Sequence, residues 1–258
     1  MDRLPFDKDL LPFVEDVYLL QNEDPNSEDN FPFYADGHPG IMYAETDHPI
    51  LLLPRGKELS DFFLYGQTLQ PISLQMKGRY YALIFQLYPF AARLLTGVNP
   101  RELNDDCFNL LRIKEVDGQQ SLLALSQAQS TEEKKEILSG YIHSLVRQSS
   151  TDPDHHIKLA LNMIMQAKGN ITIKKLRERL YITERTFERR FTKEVGVTPK
   201  QFARIVQFNF SKNQLTEKHY PSLTELSYET GFSDQSHFIR TFKKYTGKTP
   251  KEFQRALS

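Results

Sequence analysis

The chain has 258 residues, of which 39% are hydrophobic and 26% are charged, an ordinary balance for a globular protein of about two domains. No apolar run approaches the roughly 18 residues that span a bilayer, the start lacks the pattern of a secretion signal, and one cysteine cannot form an internal disulfide. We therefore expect a cytoplasmic protein without membrane contact.

The net charge of zero hides a strong asymmetry along the chain. Residues 1–154 carry 13 Lys and Arg against 24 Asp and Glu, a net charge of −11. Residues 155–258 carry 20 against 9, a net charge of +11. A basic surface of this size is typical of proteins that neutralise phosphates. Basic helical domains also occur without nucleic acid, so charge alone leaves that alternative open.

The first domain is predicted over residues 1–150. Up to Pro89, short apolar runs are separated by Pro, Gly, Asp and Asn, a pattern typical of antiparallel strands. Helical periodicity follows and is clearest over 131–148, where Ser130 and Glu133 have the spacing of a capping box. We predict a β-rich, barrel-like domain with flanking helices. Its last helix packs either on the barrel or on a second subunit.

A polar connector separates this domain from the rest of the chain. Residues 147–156, RQSSTDPDHH, contain no hydrophobic side chain and one proline. The second domain is therefore predicted over residues 151–258. His155 and His156 are interpreted as solvated linker residues rather than as metal ligands.

The basic half contains an internal repeat. When TFERRFTKEVGVTPKQF (186–202) is placed over HFIRTFKKYTGKTPKEF (237–253), nine of the sixteen positions from 187 to 202 are identical at an offset of 51 residues. Chance would give about one identity over this length. Because a duplicated unit implies a duplicated task, we interpret the two stretches as copies of one functional element.

Each copy has the local signals of a helix, a tight turn and a second helix. Thr183 and Ser233 are predicted to cap the second helices, which are expected at about 184–194 and 234–245. The domain is therefore predicted to be all-α and to contain two helix-turn-helix units. The fold class of the whole chain is α+β.

The exits of the two units are the same. Gly196 and Gly247 can adopt the positive φ that ends a helix, and Thr-Pro then begins the next helix. After the first exit, residues 199–217 have helical periodicity and predict a long joining helix of about 28 Å. Since successive major-groove faces lie ~34 Å apart, both recognition helices are expected to enter adjacent major grooves of double-stranded DNA.

Each recognition helix places two phenylalanines four residues apart on one face, so the opposite face is predicted to meet DNA. Arginine and glutamine suit base edges, Ile239 suits a thymine methyl, and the lysines suit phosphates. Glu188 can accept from cytosine or pair with a neighbouring arginine. The predicted DNA-contacting residues are Arg185, Thr186, Glu188, Arg189, Thr192, Lys193, Gln235, Ser236, His237, Ile239, Arg240, Lys243 and Lys244.

Two runs, LRERLYITERTFERRFTKEVGVTPKQF and LSYETGFSDQSHFIRTFKKYTGKTPKEF, resemble the two halves of the AraC/XylS DNA-binding domain. Ser227 departs from the usual alanine, and Gln254 departs from the usual closing arginine. The resemblance implies a sequence-specific transcription regulator that contacts RNA polymerase. The matching positions of the second run are Gly231, Phe232, Ser236, Phe238, Arg240, Phe242, Lys243, Gly247, Thr249 and Pro250.

The first domain has a weaker resemblance to the N-terminal domains of some of these regulators, through LLPFVEDVYLL, DGHPG, GQTLQP and FAARLLTGVNPRELNDD. It implies a sensing or assembly module, with a small-molecule effector or a second copy of the chain as partner, and leaves the effector-binding residues undefined. Ten aromatic residues suit an apolar effector pocket but also suit a hydrophobic core. They are Phe33, Tyr34, Tyr43, Phe62, Phe63, Tyr65, Tyr80, Tyr81, Phe85 and Tyr88.

Other functions receive less support from the sequence. His38, Glu45, Asp47 and His48 can be drawn as a metal site, but they are interpreted as parts of two turns. Cys107 is interpreted as a small buried residue, because a redox sensor needs an exposed thiol of low pKa. Neither catalysis nor a cofactor is expected, since no nucleophile elbow, phosphate loop or zinc motif is found.

Two alternatives keep the helical domain but change its role. An adaptor that has lost DNA binding would be expected to lack the outward basic residues, which this chain retains. RNA binding fits less well, because a helix-turn-helix suits the B-form major groove.

Overall fold

The computed structural model describes residues 1–149, 152–218 and 220–256, and the chain divides into two compact units. Unit 2 contains more than the predicted second domain, because two short segments from early in the sequence belong to it. Unit 1 comprises Met1–Phe31, His38–Gly66 and Ser73–Pro153. Unit 2 comprises Pro32–Gly37, Gln67–Ile72 and Asp154–Ser258.

Ten strands lie in the first 109 residues. They are β1 (Asp2–Leu4), β2 (Val14–Asn22), β3 (Glu28–Phe33), β4 (Gly40–Thr46), β5 (Leu51–Leu53), β6 (Lys57–Glu58), β7 (Phe62–Tyr65), β8 (Ile72–Lys77), β9 (Tyr80–Leu87) and β10 (Cys107–Asn109). A larger sheet has the order β1-β2-β9-β4-β7-β10, and a smaller sheet has the order β3-β8-β5-β6. The β-rich prediction is therefore confirmed.

The strands form two open sheets rather than a closed barrel. Within the described residues, β1 and β10 are the two edges of the larger sheet, so this sheet does not close on itself. Neighbouring strands of the larger sheet are antiparallel, with Ile41 opposite Phe85 and Met42 opposite Phe63. Apolar side chains in these registers build the core of unit 1.

Most of the ten aromatic residues serve as core rather than as a common pocket. Tyr34 instead belongs to unit 2, where its ring centroid lies 5.4 Å from that of Phe253. Because Phe33 and Tyr34 both belong to the other unit, the ten residues do not line one site. The buried members are Tyr43, Phe62, Phe63, Tyr65, Tyr80 and Phe85.

The described part of unit 1 contains three α-helices: α1 (Ala91–Thr96), α2 (Gly118–Gln127) and α3 (Thr131–Gln148). The predicted N-cap of α3 is confirmed, since the Ser130 hydroxyl accepts from the backbone N–H of Glu133 at 3.2 Å. Tyr141 of α3 packs edge-on against Phe62 of β7, with ring centroids 4.9 Å apart. The apolar face of α3 therefore packs on the sheet, which was one of the two predicted alternatives.

The carboxylates of the imagined metal site are held by other groups. Glu45 accepts from Tyr43 and from Lys134, both at 2.6 Å. Asp47 accepts from the Arg79 guanidinium at 3.0 Å. Among the described residues, no group of three or more His, Cys, Asp or Glu side chains is arranged to hold a metal ion.

Cys107 is the first residue of β10, and burial raises the pKa of its thiol to about 12. Because the thiolate is the reactive form, we expect iodoacetamide at pH 8 to alkylate the folded chain at least about 100-fold more slowly than the urea-unfolded chain, whose thiol has a pKa of about 8.5. Mass spectrometry follows the reaction at this single cysteine. Equal rates in the two states would contradict the assignment and revive the redox-sensor alternative.

Unit 2 contains seven helices in its described C-terminal part. They are α4 (His155–Gln166), α5 (Ile173–Leu180), α6 (Glu184–Val195), α7 (Pro199–Thr216), α8 (Leu223–Glu229), α9 (Gln235–Thr246) and α10 (Pro250–Arg255). The predicted long joining helix is α7. In the described parts of the chain, we find no helix with both the length and the apolar character needed to cross a membrane.

Candidate nucleic-acid interface

The first helix-turn-helix unit consists of α5, a short turn and α6. Tyr181 ends α5 in the left-handed conformation with φ of 52°, and its side chain is almost fully exposed. Thr183 then caps α6 as predicted, because its hydroxyl accepts from the backbone N–H of Thr186. Phe187 and Phe191 are fully buried, with ring centroids 5.7 Å apart. Their burial fixes which face of α6 points outward.

Most of the predicted contact residues on α6 lie on that outward face. Arg185, Glu188, Arg189 and Lys193 are exposed, whereas Thr186 is half-buried. Together these side chains carry three positive charges and one negative charge. This mixed but mainly basic face is suited to a polyanion.

Thr192 was predicted to face outward, and this is wrong. Its side chain is buried, with 6% of the residue exposed. Thr192 directly follows Phe191 and lies three residues before Val195, which is also buried. The buried face of α6 therefore includes Val195 and Thr192 as well as the two phenylalanines. The prediction considered only the two phenylalanines and therefore made this face too narrow.

The second unit consists of α8, a turn and α9. Ser222 caps α8, because its hydroxyl accepts from the backbone N–H of Glu225. The N-cap of α9 is Asp234 rather than Ser233, because the Asp234 carboxylate accepts from the backbone N–H of His237 at 2.7 Å. That backbone hydrogen bond holds the pKa of Asp234 below its usual value. Ser233 instead donates to the Asp234 carboxylate at 3.0 Å.

The outward face of α9 is again mainly basic. Burial lowers the pKa of His237, with nearby Arg204 adding to the effect, and both favour the neutral ring. Ile239 is partly buried against the aromatic core of the unit, which leaves only part of its side chain for a base. The exposed residues are Ser236, Arg240, Lys243 and Lys244, and the half-buried ones are Gln235, His237 and Ile239.

Both units end in the same way, as the repeat predicted. Gly196 has φ of 88° and Gly247 has φ of 74°, values that favour glycine. Thr198 and Thr249 then form complete capping boxes at the starts of α7 and α10. The helices that follow are therefore anchored by the same hydrogen bonds in each unit.

Each of the two residues that depart from the AraC/XylS pattern, Ser227 and Gln254, forms a side-chain hydrogen bond. Ser227 is fully buried, and its hydroxyl donates to the Thr224 carbonyl at 2.7 Å. The Gln254 amide bonds to the Tyr220 hydroxyl. The serine therefore fits the close packing that an alanine usually provides.

One ion pair in unit 2 was not predicted from the sequence. Arg190 of α6 donates two hydrogen bonds of 2.7 Å to Asp154, which also caps the start of α4. Arg190 is therefore used to hold α4 against α6, although it lies between two predicted DNA-contacting residues. The bond spans 36 residues, and no local sequence signal identifies such a pairing.

The domain composition of the chain matches known families in both halves. A helix-turn-helix domain family matches residues 176–256, and a domain of unknown function (DUF6597) matches residues 3–109. The transcriptional activator RhrA of Rhizobium meliloti (strain 1021) is 24% identical over 234 residues, which are 83% of this chain and 73% of RhrA.

Two further proteins resemble the chain. An uncharacterized HTH-type transcriptional regulator, YbfI of Bacillus subtilis (strain 168), is 26% identical over 124 residues, which are 45% of this chain and 44% of YbfI. The chain thus spans less than half of that relative. The structure of ToxT from Vibrio cholerae has a TM-score of 0.51 at 15% identity, covering 94% of this chain and 98% of ToxT, and it shows a shared fold.

The duplicated units, their caps and the family match define the class of protein. The C-terminal helices form a double helix-turn-helix DNA-binding domain. The helix-turn-helix family match lies in the region whose sequence resembles AraC/XylS regulators, and the similarity to a transcriptional activator extends over most of the chain.

Proposed function

We propose that α6 and α9 enter adjacent major grooves on one side of double-stranded DNA and that this binding is sequence-specific. The observation that carries the proposal is the repeat, which gives both helices an outward basic face. The 18 residues of α7 make a helix of about 27 Å between the two units. This length is close to the ~34 Å of one DNA turn, so one chain can supply both contacts.

Side-chain chemistry divides the two outward faces into two roles. Arg189 and Arg240 occupy equivalent positions of the repeat, and each can form paired hydrogen bonds with a guanine edge. Lysine ammonium groups can neutralise phosphates without reading sequence. The proposed base-reading set is Arg185, Thr186, Glu188, Arg189, Gln235, Ser236, His237, Ile239 and Arg240, and the proposed phosphate set is Lys193, Lys243 and Lys244.

Lys243→Ala tests the phosphate role. Lys243 is exposed on α9, so its removal is not expected to disturb the fold. We expect weaker binding to specific and random duplexes alike. The salt slope, which is the slope of the logarithm of the affinity against the logarithm of the salt concentration, should be about one unit shallower, because one fewer counterion is released. Fluorescence anisotropy of the full chain over a salt series measures both quantities.

Lys114→Ala is a matched control, since Lys114 is an exposed lysine of unit 1. Its salt slope should equal that of the unchanged protein. An unaltered slope for Lys243→Ala would remove Lys243 from the phosphate set. An unchanged protein that binds no duplex at any salt concentration would overturn DNA binding itself.

The division of labour along the chain is also part of the proposal. We assign regulation to residues 1–150 and DNA binding to residues 151–258, in the cytoplasm where a bacterial chromosome is accessible. A small-molecule effector and RNA polymerase are the further partners that a transcription regulator of this family would use. The apolar face of α3 is already packed on β7, which supports a single chain rather than an α3-mediated homodimer as the unit that binds DNA.

A further inference from the structure

A short segment of unit 2, residues 67–72, contacts the C-terminal ends of both recognition helices. We call it the bridging segment. At its start, the Gln67 side-chain amide donates to the backbone carbonyl of Val195 at 2.7 Å. Val195 is the last residue of α6, and Gln67 is only 3% exposed. The end of α6 is therefore fixed by a buried hydrogen bond from 128 residues away.

The second recognition helix ends with different hydrogen bonds. In the repeat, the position of Val195 is occupied by Thr246. The Thr246 hydroxyl donates to the Phe242 carbonyl at 2.8 Å and accepts from the Lys248 N–H at 3.1 Å, so the end of α9 is held by its own side chain. Val195 has no hydroxyl. The last carbonyls of a helix lack partners within it, and Gln67 supplies one for α6.

The other end of the bridging segment lies beside α9. Pro71 is next to Gly247, since a Cβ built on that glycine would lie 3.5 Å from the Pro71 Cγ, an ordinary van der Waals distance. Between the two ends, Leu69 packs against the hydrophobic core formed by α7, α9 and α10. Five consecutive residues thus connect the end of α6, the core of the second helix-turn-helix unit and the end of α9.

We infer that the bridging segment sets the spacing between the two recognition helices, with Gln67 as the positioning residue. This inference rests on the proposed DNA binding. A helix end held by a buried hydrogen bond has a defined position relative to its donor. When Gln67 is replaced, the buried Val195 carbonyl loses its hydrogen-bond donor. The first helix-turn-helix unit then gains freedom to move relative to the second helix-turn-helix unit. The consequence for function is that the chain discriminates between DNA sites by the distance between their two base clusters.

The test compares the full chain with Gln67→Met, which preserves the length of the side chain but lacks the amide donor. The selected site is the sequence that the full chain enriches from randomised duplex DNA, with two clusters of preferred bases. Three duplexes are compared: the selected site, the same site with one base pair inserted between the two clusters, and the same site with one base pair removed. One base pair shifts the clusters by about 3.4 Å along the axis. We expect Gln67→Met to reduce the affinity ratio between the selected and shifted sites by about threefold to tenfold.

Two variants show whether this effect comes from the hydrogen bond. Gln75→Met changes a hydrogen-bonded glutamine of β8 that lies outside the bridging segment, and its affinity ratio should equal that of the unchanged protein. Val195→Thr alone gives α6 the residue that α9 has in this position and leaves the Gln67 donor in place, so its affinity ratio should also equal that of the unchanged protein. A general loss of stability would reduce the active fraction without changing the ratio.

The outcomes separate this inference from the proposed function. No binding of any duplex by the unchanged protein would overturn the proposed function. Strict spacing in both the unchanged protein and Gln67→Met would overturn the positioning role and leave DNA binding intact. If Gln67→Met does not fold, Pro71→Gly tests the same segment from its other end, and an unchanged ratio in that variant would equally overturn the inference.

Discussion

Replacing Phe242 by alanine is expected to lower the free energy of unfolding by about 3–5 kcal/mol. The ring is fully buried at the centre of an aromatic cluster, with centroids 5.3 Å from Phe208, 5.6 Å from Phe238 and 5.3 Å from Phe253. The substitution leaves a cavity in place of the ring. Because these neighbours come from three different helices, movement of one side chain cannot fill that cavity. Urea denaturation followed by far-ultraviolet circular dichroism measures the change.

Phe210→Ala is the matched control for this prediction. Phe210 lies on α7 and is half-buried, with the Lys168 ammonium 4.2 Å from its ring centroid. We expect its replacement to cost about 1 kcal/mol, since less apolar surface is removed from contact. Equal costs for the two variants would show that the cluster around Phe242 does not hold unit 2 together.

Replacing Arg240 by alanine is expected to weaken binding to the selected site by about 1–3 kcal/mol, which is roughly 5- to 150-fold. Arg240 is exposed on α9, and its equivalent in the repeat is Arg189. A paired hydrogen bond to a base edge is lost on the specific site, whereas random DNA offers no such defined partner. Anisotropy titrations with the selected and a scrambled duplex measure the two losses.

Lys243→Ala provides the comparison on the same helix, because its predicted loss is similar on both duplexes. A selection repeated with Arg240→Ala should also show relaxed base preference in one cluster only. Equal losses on selected and scrambled DNA would place Arg240 among the phosphate contacts instead.

Features fixed by a few neighbouring residues could be predicted from the sequence. The caps at Ser130, Thr183, Thr198 and Thr249 depend on hydroxyls three residues from the N–H groups they accept from. The helix ends at glycine depend on backbone conformation alone. The repeat added the correspondence between α6 and α9, so most of the candidate interface was placed on the correct helix faces.

Features fixed by distant residues could not be predicted. The pairing of Arg190 with Asp154 joins two helices, and the bond from Gln67 to Val195 joins residues 128 positions apart. Strand order also depends on distant pairing, which is why a barrel was expected where two open sheets form. Two errors have local causes. Thr192 was expected to face outward but lies at the edge of a buried face, and Ser233 was expected to cap α9 although the neighbouring Asp234 is a better acceptor.

Selection of randomised duplex DNA by the full chain tests the central claim most directly. We expect the enriched sequences to share two base clusters about one helical turn apart, because α6 and α9 read adjacent major grooves. Affinity for the winning site should fall steeply with salt. Retention of DNA without any enriched sequence, or enrichment of a single cluster, would contradict the claim that both helices read bases together.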